Sequence, residues 1–239
     1  MNGSSVAERR PRNALGQYDD LAHAWWQPHG AFAALHWLAA ARGQLVPAAT
    51  RPDQVLVDVG CGGGLLAPHV GGYLHVGVDM SSSALGTAKD HGVTAVRGDA
   101  TRLPLADACA DVVVAGEILE HVHPLEAAVA ELARITRPGG TIVLDTINAT
   151  RAARVALVSV AERLPGGPPP RIHDPALFVK SDRLTELFAA QGVRMRLSGL
   201  RPSVVDYARF LFDRSRSVRM VPSRSVALVY SGIGIKELS

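Results

Sequence analysis

Only two cysteines, Cys61 and Cys109, occur in 239 residues, too few for a disulfide scaffold and in keeping with a reducing compartment. No run of 18 apolar residues is present, which argues against a membrane-spanning helix, and the first residues carry no apolar signal core. Charge of one sign is not in excess either: 25 Lys and Arg against 22 Asp and Glu leave a net charge of +3. That balance, with no basic groove interleaved with aromatics, speaks against a nucleic-acid partner. These absences lead to the expectation of a cytoplasmic protein. The arginines do gather, at Arg9–Arg12, Arg151–Arg171 and Arg214–Arg224. Such a distribution suits peripheral contact with the anionic inner face of a membrane, or an ordinary solvated surface. At 47% hydrophobic and 20% charged residues, the chain can build one domain with a full core.

What is present is organised around Val55-Leu56-Val57-Asp58-Val59-Gly60-Cys61-Gly62-Gly63-Gly64. A valine-rich run that breaks into glycines is the pattern of a buried parallel strand turning through a tight loop, here into an apparent helix over 65–70. Glycine permits positive φ and lets backbone N–H groups approach a ligand. A second apolar run, Leu74–Val78, closes on Asp79, the position from which an acid in an α/β nucleotide site accepts ribose hydroxyls. Further strands are expected at Thr94–Arg97, Asp111–Ala115 and Thr141–Thr146, and two β-like runs follow at Arg194–Leu200 and Ser225–Tyr230. The intervening apolar spacing is helical, with Ser81 or Ser82 as an N-cap and Gly192 as a C-cap. Residues 1–15 read as a disordered lead, 16–48 as an N-terminal helical cap within a single domain over 16–239, and 149–174 as an inserted helix with a proline-rich exit, the composition of a lid.

The motifs Val57–Gly64, Gly77-Val78-Asp79-Met80 and Arg137-Pro138-Gly139-Gly140 resemble, as an ordered set, those of the class I S-adenosylmethionine-dependent methyltransferases. A dinucleotide dehydrogenase fits less well, since no G-x-G-x-x-G is present. Trp25-Trp26, Glu117-Ile118-Leu119-Glu120-His121, Thr146-Ile147-Asn148 and His173-Asp174 add a narrower resemblance to the ubiquinone-biosynthesis O-methyltransferases, over most of Tyr18–Gly192. The segment after Leu200 departs from that family. The resemblance implies an α/β, Rossmann-like, mostly parallel seven-stranded sheet with helices on both faces and S-adenosylmethionine at the strand ends. It implies Gly60, Asp79 and Gly116 in the cofactor site, with Arg42 reaching it from the N-terminal cap and Met80 beside Asp79. Gly62 would let the methionine portion approach. Asp99 would meet the adenine amino group, Ala100 would offer a backbone N–H, and Asp58 would organise the loop.

Glu117, Glu120 and His121 would share a face if they lay on a helical turn. Three readings stay open. The group holds Mg²⁺, as the resembling family implies, and the ion activates a phenolic oxygen; His121 is a metal-free general base; or the three brace the loop. The expected reaction is O-methylation of a phenol or quinol. Methylation of a specialised metabolite at oxygen, nitrogen or carbon, and a catalytically silent binding module, are the alternatives.

Overall fold

The structure, a computed structural model, describes residues 11–238. Its centre is an eight-stranded sheet: β1 (Val55–Val59), β2 (Leu74–Asp79), β3 (Thr94–Arg97), β4 (Ala110–Gly116), β5 (Thr136–Ile147), β6 (Val193–Pro202), β7 (Met220–Ser223) and β8 (Val229–Lys236). The spatial order is β3-β2-β1-β4-β5-β8-β6-β7. β1 to β5 run parallel, and β8 inserts antiparallel between β5 and β6. The parallel strands carry apolar residues without alternation because helices cover both faces. In β4, Val112, Val113, Val114 and Ala115 are all buried.

Seven strands were expected, and an eighth, β7, pairs with the far half of β6. Of the run Ser225–Tyr230, only Val229 and Tyr230 are strand. The glycine loop does not lead into an α-helix either. Turns and one 3₁₀ turn, Ala67–His69, follow it, and within the loop Gly60, Gly62 and Gly64 all take positive φ. The Arg137–Gly140 segment bulges out between two pairings of β5 with β4, Ala110 with Thr136 and Val112 with Thr141.

Among the helices, α1 (Gly16–Asp20) and α2 (Ala33–Gly43) form the expected cap over the glycine loop, and α3 (Ser82–Asp90) starts at the Ser81 cap, whose hydroxyl accepts from Ala84 N. α4 (Leu125–Ile135) and α6 (Ser181–Ala190) bury Leu132, Leu184 and Phe188 in the main core. The inserted segment is α5 (Arg151–Ala153), a π-helical stretch (Arg154–Val160), a 3₁₀ turn and a proline-rich loop. A further helix, α7 (Val204–Phe212), was not expected. The strand order reverses between β1 and β4, so the crevice of an open α/β sheet opens at their C-terminal ends.

Candidate functional site

At that crevice a cavity of about 560 Å³ runs from the glycine loop to the inserted segment. Its cofactor end is built on strand ends. Gly60 N and Cys61 N donate to Val78 O at 2.8 and 3.2 Å, tying the loop to β2. Asp79 accepts from Gly62 N at 2.9 Å and from Ser81 N at 2.8 Å, which aims its carboxylate while leaving lone pairs for hydroxyls. Burial raises its pKa. Trp25 covers the loop so closely that a Cβ on Gly62 would sit 2.4 Å from its ring. Trp26 Nε1 donates to Gly63 O at 2.8 Å, and its ring stacks on His91. The paired tryptophans are thus a clamp on the loop, and Trp25 also lines the cavity.

Arg42, buried in the cap helix α2, forms two 2.7 Å hydrogen bonds with Asp145 of β5. A bidentate guanidinium–carboxylate pair fixes both position and angle. Gly116 makes room for it: a Cβ there would fall 1.8 Å from Arg42 Cζ. Of the residues expected to hold the cofactor, Arg42, Asp58, Gly60, Gly62, Asp79, Met80, Ala100 and Gly116 line the cavity. Asp99 does not. Its exposed carboxylate accepts instead from Thr101 N and Oγ1, both at 2.8 Å.

The other end is apolar, walled by Trp37, Leu157, Ile172, Leu200 and Met220. Glu117, His121 and His173 line the cavity as well, and Glu120 is enclosed beside the two histidines. Glu117 is not on a helical turn with Glu120 and His121; its φ of +51° breaks the chain before the 3₁₀ turn Leu119–His121. That strained conformation, held by a Glu117 N to Asp145 O bond of 3.0 Å, aims the side chain into the cavity. Glu120 is fully buried and accepts from Thr146 Oγ1 at 2.8 Å. Burial first, then mutual repulsion with Glu120, pushes the Glu117 carboxyl well up, and burial raises that of Glu120. Burial also pushes His121 down to about 4 and His173 down to about 3, so both imidazoles are neutral at pH 7. The His121 and His173 rings stack at 5.3 Å.

Among the described residues, Glu120, His121 and His173 each bring one ligand atom within 4.8 Å of the others. His173 Nδ1 is enclosed without a hydrogen-bond partner, whereas Glu117 and Glu120, whose Oε1 atoms have no other partner, pair with one another as donor and acceptor when Glu117 is protonated. A buried imidazole nitrogen normally finds a partner, so the cluster fits a site completed by a cation or by substrate. His173 is marked in the sequence by the His173-Asp174 motif of the narrower resemblance, at the end of the inserted segment, whereas Asn13 falls in the expected lead and Asp145 and Tyr18 have no role assigned. Of these, only the His173-Asp174 pair carried a signal in the sequence.

A parallel Rossmann-like sheet with this glycine turn, strand-end acid and capped crevice is the construction of the class I S-adenosylmethionine-dependent methyltransferases. Comparison with known proteins agrees. A family model described as a methyltransferase domain matches residues 57–144. A solved S-adenosylmethionine-dependent methyltransferase of Thermotoga maritima, described as a possible histamine N-methyltransferase, shares the fold with a TM-score of 0.67 at 20% identity, over 92% of this chain and 97% of its own. The ubiquinone biosynthesis O-methyltransferase of Methylococcus capsulatus is 36% identical over 181 residues, 72% of this chain and 76% of its own. That of Paraburkholderia phytofirmans is 36% identical over 194 residues, 75% and 82% of the two chains. The chain belongs to the family of the ubiquinone biosynthesis O-methyltransferases. It is a transferase that uses S-adenosylmethionine and takes a small-molecule acceptor.

Proposed function

We propose that the acceptor is the hydroxyl of a phenolic or catecholic small molecule carrying an apolar portion, such as a quinone precursor. The observation that carries this reading is that Glu117, His121 and His173 line one cavity together with the glycine loop and a set of apolar side chains, with buried Glu120 grouped with the two histidines. A phenol placed there would have its oxygen beside the neutral imidazoles and its hydrophobic part against Trp37, Leu157 and Ile172. The apolar portion adds affinity by burial, at roughly 25 cal/mol per Å².

The grouping of one carboxylate and two neutral imidazoles fits a divalent cation, which Glu120, His121 and His173 would hold, with Glu117 adjacent. Such an ion supplies Lewis acidity that lowers the pKa of a bound hydroxyl. Two imidazoles with a carboxylate suit Mn²⁺ or Zn²⁺ as well as Mg²⁺, which prefers oxygen donors. The residues themselves do the rest. Arg42 and Asp145 anchor the cap to β5, Asp79 and the glycine loop orient the donor, and the clamp and inserted segment exclude water. The sulfonium methyl is already activated, so in-line positioning supplies most of the rate. The outer face of the inserted segment, with exposed Val155, Val160 and Leu164 among Arg151, Arg154 and Arg163, suits peripheral contact with an anionic cytoplasmic membrane surface.

The test is transfer of labelled methyl from S-adenosylmethionine to a panel of catechols and quinols, set beside amines and carbon acids, with the product bond assigned by mass spectrometry. Methyl ethers of catechols are expected. Methylation confined to amines or carbon acids would replace this reading with that of a specialised-metabolite enzyme.

A further inference from the structure

A histidine that binds a cation or accepts a proton must present an unprotonated ring nitrogen, and its other nitrogen's partner decides which one that is. At His121 that partner comes from far away in the chain. Asn13 Nδ2 donates to the His121 carbonyl at 3.0 Å, and Asn13 Oδ1 lies 2.5 Å from His121 Nδ1. A carbonyl oxygen can only accept, so the first bond fixes which end of the Asn13 amide is nitrogen. The amide oxygen facing Nδ1 can also only accept, so Nδ1 carries the hydrogen and Nε2 keeps its lone pair. The third contact agrees with the first two. Tyr18 OH, whose proton burial holds in place, lies 3.3 Å from Nε2 and donates to its one lone pair, a long contact that a cation or an acceptor hydroxyl reaching Nε2 displaces.

We propose that Asn13 is the positioning residue of His121, locking the Nδ1–H tautomer and the ring angle that turn the Nε2 lone pair toward the acceptor. The inference rests on the reading of His121 as cation ligand or base, and either role needs an unprotonated Nε2. The local backbone is built for it. Asn13 has a φ of +58°, a left-handed conformation that asparagine adopts more readily than most residues. Its N–H donates to Arg171 O at 3.3 Å, while Arg12 Nη1 donates to Glu162 Oε1 at 3.0 Å and to His173 O at 2.8 Å. Two consecutive residues thus tie the inserted segment down and set the imidazole. Seating the lid and preparing His121 become one event.

Two variants of the full chain separate side chain from backbone. Asn13→Gly keeps the left-handed turn and removes the amide; Asn13→Asp keeps an acceptor for Nδ1–H. Histidine tautomers are read directly by two-bond ¹H–¹⁵N correlation on ¹⁵N-histidine-labelled protein, without any acceptor present. The wild type is expected to show His121 as the Nδ1–H form and Asn13→Gly to lose it. In Asn13→Gly, kcat on the best catechol falls by about 10- to 100-fold, the range typical of an outer partner of a ligating histidine, with S-adenosylhomocysteine affinity unchanged. Asn13→Asp keeps the Nδ1–H form, although it loses the donor to the His121 carbonyl. An unchanged tautomer in Asn13→Gly overturns the proposal, and so does a changed tautomer with unchanged kcat. If the wild type methylates no phenol, the substrate reading falls while the tautomer measurement still decides the role of Asn13.

Discussion

Gly116 and Arg42 illustrate how single residues set this site. With no Cβ on Gly116, the guanidinium lies flat against the end of β4 and reaches Asp145. Gly116→Ala should displace it and leave Asp145 buried without its cation, costing about 3–5 kcal/mol in urea unfolding. Both residues were legible in the sequence through the family motif. Asp145 was not, because an acid near the end of a strand looks the same whether or not an arginine 103 residues earlier folds onto it. The buried histidines make a second prediction. His121 and His173 have folded pKa values near 4 and 3, below the ordinary 6.5, so the unfolded chain takes up their protons first. Stability therefore falls as pH drops from 6.5 toward those values, by up to about 1.4 kcal/mol per pH unit for each histidine. Replacing His173 by Gln should flatten this acid limb of the thermal midpoint against pH; an unchanged limb would show that neither burial nor stacking matters there.

At the scale of elements, the inserted segment closes the apolar end by seating its proline-rich loop on the cap helix α2 and on α7. Tyr207 OH donates to Pro165 O at 3.1 Å, and Gly166, at a φ of +75°, fits so tightly that a Cβ would lie 2.6 Å from Trp37 and 2.9 Å from Phe210. Tyr207→Phe removes the bond and keeps the ring. A bond of this kind is worth about 1 kcal/mol, so the acceptor KM should rise about fivefold with S-adenosylmethionine affinity unchanged; calorimetry and initial rates separate the two. The segment itself was legible from its break in βα rhythm and its Pro and Gly content. The helix that receives it was not expected, although Val204, Val205, Tyr207, Ala208, Leu211 and Phe212 recur at helical spacing; that stripe is largely exposed, with only Asp206 and Phe210 buried, so spacing alone does not report how the segment packs. The turn at Glu117 escaped for a related reason: the spacing of Glu117, Glu120 and His121 is helical, but the backbone is not.

Across the whole molecule, the sheet from β1 to β5 was readable because fully buried parallel strands print continuous apolar runs, and turn glycines mark their ends. The antiparallel tail was harder. β8 carries Gly232 and Gly234 among apolar residues, and β7 contains a proline, so neither matches a simple strand pattern. The site draws on the N-terminal segment, the β4 turn and the inserted segment, pieces about 100 and 160 residues apart for Asn13 with His121 and Arg12 with His173. Sequence spacing carries no record of such meetings, which explains why Asn13 and Tyr18 were missed while the cofactor motifs were not. The most direct measurement of the account is catechol methylation by protein stripped with EDTA and then reloaded in turn with Mg²⁺, Mn²⁺ and Zn²⁺. Loss of methyl transfer on stripping and its return with a divalent ion is the result expected of a cation held at Glu120, His121 and His173. Full activity in EDTA would contradict it and leave His121 acting on the phenol as a base.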